Sequence, residues 1–389
     1  MNADSPRITH RIHRLLDRQR ARSLYRGRQV GDGPQGIEVI MDGEALLSFC
    51  SNDYLGLAAH PEVVAALQDG ARRYGAGSGA SHLISGHSRA HHALEEELAA
   101  FVGRPRALLF STGYMANLGV IAALMGRGDA VFEDRLNHAS LVDGALLSRA
   151  RLRRYPHGDS GTLASWLHDT SDTALIATDG VFSMDGDMAP LRELAGLARR
   201  HGAWLMVDDA HGLGVMGAGG GGSLEHYECS AQDVPILVGT LGKAFGTFGA
   251  FVAGSDELIE FLVQQARTYV YTTALPPAVA HATRTSLRLV REEHWRRSHL
   301  HAMIARLRAG LASFGLPLPG GDTPIQPLEV GGAERALALS RALREQGILI
   351  PAIRPPTVPE GRARLRITIS AAHDRGHVDR LVEELGRLL

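Results

Sequence analysis

Between about residues 105 and 255, short apolar segments alternate with segments of helical periodicity. Unbroken apolar strands separated by helices are typical of a parallel sheet that is buried on both faces. We therefore predict an α/β fold with a mostly parallel central sheet and helices on both faces, such as the helix Leu191–His201. The predicted strands are Ala107–Phe110, Ala130–Glu133, Leu175–Asp179, Trp204–Asp208, Ile236–Gly239 and Ala250–Ala253.

The pattern changes after Pro276 and Pro277, where a long helical segment is predicted over 278–314. Beyond it we expect strands at 325–330, 348–350 and 365–369 and helices at 334–346 and 377–388, which together indicate a smaller α+β domain. The expected division is an N-terminal helix and segment at 1–55, a large α/β domain at 56–285 and a small C-terminal domain at 286–389. Ile12, Leu15 and Leu16 predict an amphipathic N-terminal helix rather than a transit peptide.

Charge and cysteine content exclude several classes of protein. The net charge of −1 over 389 residues provides no basic field for nucleic acid or an anionic membrane, and no apolar segment reaches the length of a membrane span. Only Cys50 and Cys229 occur, with no zinc-binding spacing, which fits a reducing cytoplasm. We expect a cytoplasmic protein that binds neither nucleic acid nor membrane.

Two short segments indicate the chemistry. The strand Trp204–Asp208 ends in a carboxylate, with His211 three residues later, and the glycine-bracketed segment Gly239–Gly246 presents a single lysine, Lys243. Ligands of parallel sheets bind beyond the carboxyl ends of the strands. A lysine that forms a Schiff base and a carboxylate that keeps the pyridine nitrogen protonated are what pyridoxal 5'-phosphate (PLP) requires. The sequence therefore predicts a PLP enzyme.

Other segments allow different interpretations. Asp208, Asp209 and His211 could be metal ligands, but a metal site would leave Lys243 without a purpose, so we expect no metal. Phe110–Asn117 follows a strand and opens a helix, as a phosphate site does. Gly75–Ala80 follows a helical segment, which argues against a dinucleotide-binding dehydrogenase. The run Gly217–Gly222 is expected to be a flexible surface loop.

Seven separated motifs, in order, resemble the α-oxoamine synthase family. These fold-type-I PLP enzymes condense an amino acid with an acyl-CoA and release carbon dioxide. The resemblance extends from about Leu15 to the C-terminus. The motifs are Ser51–Gly56, Gly77–Gly86, Ser111–Tyr114, Asn137–Ser140, Val207–His211, Gly239–Lys243 and Tyr271–Pro277.

The resemblance implies a role for each matched residue. Lys243 would carry the cofactor and move the substrate's α-proton, Asp208 would pair with the pyridine nitrogen, and His138 would stack over the ring and orient substrate. Thr272 or Thr273 would reach the phosphate in the other subunit of an obligate homodimer. The remaining cofactor-binding residues would be Gly113, Tyr114, Ser183, His211 and Thr240. The substrate-binding residues would be Asn52 and Arg366 at the carboxylate, and Arg26 and Thr357 at the acyl group.

The substrates are indicated by the C-terminal part of the chain. Ile353–Pro359 and Ala363–His373 are most similar to the family members of biotin synthesis, whose substrates are L-alanine and a pimeloyl thioester. Whether that thioester is pimeloyl-CoA or a pimeloyl carrier protein stays open. The alternatives are a glycine-using 2-amino-3-ketobutyrate CoA ligase or a serine palmitoyltransferase. A noncatalytic subunit is disfavoured because Lys243 is present.

Overall fold

In a computed structural model, which describes residues 7–170 and 172–389, the predicted sheet is present with one additional strand. Its order is β4-β10-β9-β8-β7-β5-β6, and every strand is parallel to the others except β10. The seven strands are β4 (Arg106–Phe110), β5 (Ala130–Asp134), β6 (Arg151–Tyr155), β7 (Ala174–Asp179), β8 (Trp204–Asp208), β9 (Ile236–Thr240) and β10 (Ala250–Gly254).

Strand β6 was not predicted. Its sequence contains three arginines, so it lacks the apolar character of its neighbours. It forms the edge of the sheet, beside β5, and most of its side chains are only partly buried. Edge strands carry charged residues because one side of the strand faces solvent.

Helices cover both faces of this sheet. Successive residues of a strand point to opposite faces, so Val131 packs in one core while Phe132 packs in the other. Helices on the first face include α4 and α5, and those on the second include α6 and α7. The helices up to the end of the sheet are α1 (Arg7–Ala21), α2 (Pro61–Tyr74), α3 (Arg89–Phe101), α4 (Gly113–Leu124), α5 (Ala139–Ser148), α6 (Ser160–His168), α7 (Leu191–His201), α8 (Ser223–His226), α9 (Asp256–Gln265) and α10 (Arg267–Val270). A π-helix spans His82–Gly86.

The prediction of a single helix over 278–314 was wrong. The segment forms α11 (Pro277–Glu292) and α12 (His294–Ser313), because Glu293 leaves the helical conformation at ψ 61°. Arg297 of the second helix donates to the carbonyl oxygen of Val290 at 2.6 Å and so satisfies an acceptor in the last turn of the first.

Two smaller sheets complete the fold. One is antiparallel and has the order β11-β14-β13; the other has the order β1-β2-β3-β12 and joins Glu44–Ser48 in parallel to Ile348–Leu349. The N-terminal segment therefore packs with the C-terminal region, and the division at residues 55 and 285 stays a prediction. The remaining elements are β1 (Gly31–Asp32), β2 (Glu38–Met41), β3 (Glu44–Ser48), β11 (Ile325–Gly331), α13 (Ala333–Glu345), β12 (Ile348–Leu349), β13 (Ala352–Ile353), β14 (Ala363–Thr368) and α14 (Arg375–Leu388).

Four further expectations concern local features. The N-terminal amphipathic helix is present as α1, and Cys50 and Cys229 are both free thiols. In the part of the chain that the structure describes, no helix is both long and apolar enough to cross a membrane. The run Gly217–Gly222 is not a loose loop, because the amides of Gly219 and Gly221 donate to the carboxylate of Glu225 at 2.8 and 2.7 Å.

Candidate active site

Lys243 lies on a tight turn that follows β9. The turn is closed by a hydrogen bond from the amide of Gly246 to the carbonyl oxygen of Lys243 at 2.8 Å, and Gly246 has a φ of +64°. Phe245 and Ala244 are buried in the core and anchor the turn. Burial of the amino group lowers the pKa of Lys243 to about 8, even though Asp208 raises it. At neutral pH part of the Lys243 amine is therefore uncharged, and the uncharged form is nucleophilic.

A buried hydrogen-bonded chain extends from Lys243 across the sheet edge. The Nζ atom of Lys243 lies 2.9 Å from Nε2 of His211, and Nδ1 of His211 lies 2.6 Å from the hydroxyl of Tyr54. That hydroxyl donates to Oδ1 of Asn52 at 3.2 Å. One set of proton positions satisfies all three contacts: the lysine donates to Nε2, the Nδ1 proton goes to the tyrosine oxygen, and the tyrosine donates to the amide.

The imidazole of His211 in this chain is neutral. Burial lowers its pKa well below the usual value, and the nearby cations Lys243 and Arg366 lower it further. Burial also raises the pKa of Tyr54 to about 12. Neither ring therefore carries a charge near pH 7. The hydrogen bonds through these two rings orient the side chains from Lys243 to Asn52 without placing a charge on either ring.

Asp208 is a buried carboxylate at the end of β8. Its Oδ2 accepts from the side-chain amide of Asn117 at 2.6 Å, and its Oδ1 accepts from the backbone amide of Ala210 at 3.0 Å. The neighbouring strand places Asp179 directly beside it in register. Burial, and then the negative charge of Asp208, raises the pKa of Asp179 well above its usual value. The negative charge of Asp208 therefore disfavours ionisation of Asp179.

The next strand along, β5, delivers His138. Its backbone amide donates to Asp179 at 3.0 Å, and its Nδ1 lies 2.7 Å from the hydroxyl of Ser140 at the start of α5. The ring of Tyr114 meets the His138 ring edge-on at 6.0 Å between centroids. Gly113 begins α4, and a Cβ atom at that position would meet nothing within 4 Å. Open space therefore lies above the free amides of this helix start.

A guanidinium approaches from the small domain. Arg366, on β14, donates from Nε to the carbonyl oxygen of Ser183 at 2.6 Å and from one terminal nitrogen to Oδ1 of Asn52 at 3.2 Å. It is 6% exposed, and it forms no ion pair with any residue in the described ranges. Asn52 thus connects the hydrogen-bonded series that begins at Lys243 to Arg366, a buried cation without an anionic partner.

The remaining predicted residues are placed as follows. Arg26 donates to the hydroxyl of Thr357 at 3.0 Å, so these two side chains lie together. The hydroxyl of Thr240 donates to Gly249 at 3.2 Å at the end of β9. Thr272 and Thr273 lie between α10 and α11, and their hydroxyls bond to no other described residue of the chain.

Asp209 does not take part in a metal site with its neighbours. Its carboxylate is fully buried on the other side of the strand and accepts from the amide and the hydroxyl of Ser223, both at 2.7 Å. Glycines surround it closely: a Cβ at Gly222 would lie 1.9 Å from one of its oxygens. The rival interpretation of Asp208, Asp209 and His211 as metal ligands is therefore disfavoured, since their side chains do not converge.

The comparisons with known proteins agree with this geometry. The model of the aminotransferase class I and II family matches residues 44–385. An 8-amino-7-oxononanoate synthase of Thioalkalivibrio sulfidiphilus is 62% identical over 96% of this chain and 95% of its own length. One from Methylococcus capsulatus is 64% identical over 94% and 95%, respectively. This chain belongs to the 8-amino-7-oxononanoate synthase family.

Solved structures give the same result for the fold. Serine palmitoyltransferase of Sphingomonas wittichii has a TM-score of 0.93 and 31% identity, over 99% of this chain and 98% of its own. The 8-amino-7-oxononanoate synthase of Francisella tularensis has a TM-score of 0.77 and 32% identity, over 88% and 97%. The predictions of the fold class, of a PLP-dependent acyltransferase and of PLP as cofactor are confirmed.

The residues present fit that cofactor. Asp208 is a buried anion that no cation of the described residues pairs, which suits a protonated pyridine nitrogen. Lys243 provides a partly neutral amine on the same edge of the sheet. The space at Gly113 lies at a helix N-terminus, where a phosphate is stabilised.

Three residues of this site were missed by the sequence analysis. Tyr54 and Asn117 lie inside motifs that the sequence analysis quoted, but nothing local distinguishes a tyrosine that will meet a histidine 157 positions away. Asp179 was noted only as the last residue of a predicted strand. The available signal was its place at the end of a strand beside β8, because parallel strands in register bring their final residues together.

Proposed function

We propose that the chain condenses L-alanine with a pimeloyl thioester to form 8-amino-7-oxononanoate, with release of carbon dioxide and the thiol carrier, in biotin biosynthesis. The observation that carries the proposal is the placement of the Lys243 amine 2.9 Å from a neutral His211, on the sheet edge that also bears Asp208. The choice of substrates is supported by relatives of that name at 62% and 64% identity. Pimeloyl-CoA is the thioester we favour, and a carrier protein is the alternative.

The predicted cofactor-binding residues would hold PLP at the carboxyl edge of the sheet. PLP, when bound, provides an electron sink that stabilises negative charge on the α-carbon of an amino acid. Asp208 would hold the pyridine nitrogen protonated, and Asn117 and Ala210 keep its carboxylate oriented. The further residues that we propose hold the cofactor are Gly113, Tyr114, Ser183, His211, Thr240 and Lys243.

Arg366 and Asn52 bind the carboxylate of the amino acid. Arg366 is buried and carries a positive charge without an anionic partner. Its Nε and one terminal nitrogen already donate to Ser183, Asn52 and Thr368, so the second terminal nitrogen provides the charged N–H donors for a carboxylate. Asn52 fixes one terminal nitrogen of Arg366 at 3.2 Å. The substrate carboxylate is thereby held at a defined angle, which fixes the direction of the α-proton.

Lys243 moves that α-proton. Its pKa of about 8 lies close to neutral pH, which suits a group that must both accept and return a proton. His211 orients the Nζ atom through its Nε2, and Tyr54 holds the tautomer of the ring that makes Nε2 an acceptor.

The acyl substrate occupies a cavity of about 700 Å³ beside His138. Ser183 and Thr357 also line it, and Thr357 accepts from Arg26. His138 donates a hydrogen bond to the oxygen of the reacting carbonyl, where negative charge develops during the condensation. Arg26 and Thr357 contact the acyl chain.

The functional unit is a homodimer in the cytoplasm. Thr272 and Thr273 reach the phosphate of the partner's site, which is supported by their hydroxyls being uncommitted within their own described chain. Two free cysteines support a reducing compartment. The large domain binds the cofactor and the small domain, which carries Arg366, closes over the substrate.

The test is release of free CoA thiol by the PLP-loaded protein, given pimeloyl-CoA with L-alanine, glycine or L-serine in parallel. We expect turnover with L-alanine and little with the other two, and loss of turnover by several orders of magnitude in Lys243→Ala. Preference for glycine or serine would contradict the substrate assignment. Near-normal turnover by Lys243→Ala would contradict the role of the lysine.

A further inference from the structure

A cluster of histidines lies apart from the Lys243 site, on the π-helix and the first turns of α3. It contains four imidazoles and one carboxylate. In two sets of three, one potential ligand atom from each residue lies within 4.8 Å of the others. The sets are His82, His87 and His91, and His87, His92 and Glu95.

The first set is not available to a metal ion. Both ring nitrogens of His91 are used within the protein, since Nδ1 accepts from the amide of Ser88 at 3.0 Å and Nε2 lies 2.7 Å from the carbonyl oxygen of Leu275. Its ring completes the capping box of α3. A metal ion could bind His91 only by breaking this cap.

In the second set, ligand atoms of His87 and Glu95 face each other. Nε2 of His87 lies 3.9 Å from Oε2 of Glu95. The other oxygen of Glu95 accepts from the amide of Leu109 at 2.9 Å, which directs Oε2 toward the histidines. His92 and Glu95 are three residues apart on one helix face, a spacing that bundle metal sites use. Ligand atoms at ~2.0–2.1 Å from zinc in a tetrahedron are roughly 3.3 Å apart. The His87–Glu95 pair, at 3.9 Å, therefore needs to contract by about half an ångström, and any pair as far apart as 4.8 Å by about 1.5 Å.

Neighbouring residues already orient the imidazole of His87. Its Nδ1 lies 2.9 Å from Nδ1 of His82, which leaves Nε2 as the free nitrogen. His82 is fixed in turn by stacking on Tyr269, with ring centroids 5.0 Å apart and planes inclined by 11°. Metal-binding histidines are characteristically held in this way, by a hydrogen bond from the second ring nitrogen.

A cavity gives access to the same atoms. It has a volume of about 510 Å³, and His87, His92 and Glu95 all line it. Two other charged groups bear on the cluster: Arg106, which lines the cavity and pairs with Glu260 at 3.2 Å, and Glu96, whose carboxylate lies 3.4 Å from Nε2 of His92. Glu96 therefore competes with a metal ion for Nε2 of His92.

We propose that His87, His92 and Glu95 bind a divalent transition-metal ion, Zn²⁺ in the first instance, with a fourth position open to the cavity. Two imidazoles and a carboxylate favour zinc over magnesium or calcium, which prefer oxygen ligands. The proposal departs from the expectation, drawn from the sequence, that the chain binds no metal. Regular zinc spacings gave no signal because His87 precedes the helix that carries the other two ligands.

The expected consequence is local stabilisation. His87 lies in the segment between the π-helix and α3, and Glu95 is bonded to β4, so a bound ion links three pieces of chain. An ion that binds only the folded state raises the melting temperature by an amount that grows with its concentration. At a hundredfold excess over Kd we expect a rise of roughly 2–5 °C.

The experiment uses the full-length, PLP-loaded protein after dialysis against a chelator. Zn²⁺ is titrated by calorimetry, and Co²⁺ binding is followed through its visible absorption bands. We expect one Zn²⁺ per chain, and a loss of affinity of at least about tenfold in His92→Gln and in Glu95→Gln. His92 is half-exposed, so its substitution leaves the fold intact. His201→Gln, an exposed histidine at the end of α7, is the matched control and should bind as the unmodified chain does.

Two results would overturn the proposal. One is the absence of any heat of binding, Co²⁺ spectrum or change in melting temperature on adding excess metal. The other is binding that survives both His92→Gln and Glu95→Gln, which would place the ion elsewhere. The proposed catalytic function is unaffected by either result, because none of the three ligands belongs to the Lys243 site.

Discussion

Replacing Tyr54 by phenylalanine removes the hydroxyl at the centre of the chain that ends at Lys243. The ring is fully buried, so its packing is retained and the change is confined to one oxygen atom. That oxygen lies 2.6 Å from Nδ1 of His211. In its absence the Nδ1 proton has no acceptor, and the imidazole shifts to the tautomer that carries its proton on Nε2, facing the Lys243 amine.

The size of the effect follows from the two contacts. A buried donor or acceptor that loses its partner costs about 1–3 kcal/mol. An N–H placed against the ammonium of Lys243 disfavours the charged amine, and each ~1.4 kcal/mol of that penalty lowers its pKa by about one unit. We therefore expect the pKa of Lys243 to fall from about 8 by roughly one unit and the folded state to lose about 1–3 kcal/mol.

Two measurements on the cofactor-free protein test this. The rate of covalent PLP capture, followed by absorbance, rises with pH as Lys243 becomes neutral, and its midpoint should move to lower pH in Tyr54→Phe. Urea unfolding should show the loss of stability. The matched control is Tyr74→Phe, because the half-buried Tyr74 hydroxyl makes no hydrogen bond among the described residues. If Tyr54→Phe behaves as the control does in both measurements, the hydrogen bonds through His211 and Tyr54 do not set the pKa of Lys243.

Three further substitutions have defined outcomes. Hydrogen bonds to Asp134 and Asp187 raise the pKa of His157 from 6.5 to about 10. His157→Gln should therefore lower the free energy of unfolding by about 2 kcal/mol below pH 6.5. Urea titrations should show that the difference in stability between the two proteins shrinks as the pH rises toward 10. A Cβ at Gly246 would lie 2.3 Å from the amide nitrogen of Ala58, so Gly246→Ala should unfold at a lower urea concentration than the control Gly43→Ala. Gly43 also has a positive φ, but a Cβ there would meet nothing within 4 Å. Equal unfolding midpoints would exclude the clash. Arg366→Lys keeps the charge but loses the paired donors, so the KM for the amino acid should rise about tenfold in steady-state kinetics with a smaller change in kcat; an unchanged KM would contradict carboxylate binding at Arg366.

The central sheet was predictable because its signal is local. Each apolar strand from β4 to β10 could be read from its own residues, apart from β6, whose arginines hide an edge strand. The edge that bears the chemistry was predictable too, since parallel strands place their carboxyl ends together. Asp208, His211 and Lys243 were therefore found without any knowledge of distant contacts.

Contacts between distant parts of the chain were not predictable. Ile348–Leu349 pairs with Glu44–Ser48, and Tyr54 bonds to His211, and no periodicity within one segment encodes either contact. The end of α11 is a similar case, because Glu293 is a good helix former whose conformation is set by its surroundings. These features depend on which surfaces meet after folding. A single sequence indicates which residues of each element form an apolar surface, but it does not indicate which other element that surface will contact.

The site combines two buried charges of opposite sign that do not neutralise each other. Asp208 is held by neutral amides, and Arg366 is held by a carbonyl, a side-chain amide and a hydroxyl. A direct ion pair between them would relieve the cost of burying both charges, but it would also fill the positions where ligands bind. The uncharged rings of His211 and Tyr54 lie between Lys243 and Asn52. In the function we propose, Asp208 would then be available to a protonated ring nitrogen and Arg366 to a carboxylate. Binding of the two ligands then stabilises the folded state, since each one pairs a charge that the protein leaves without a partner.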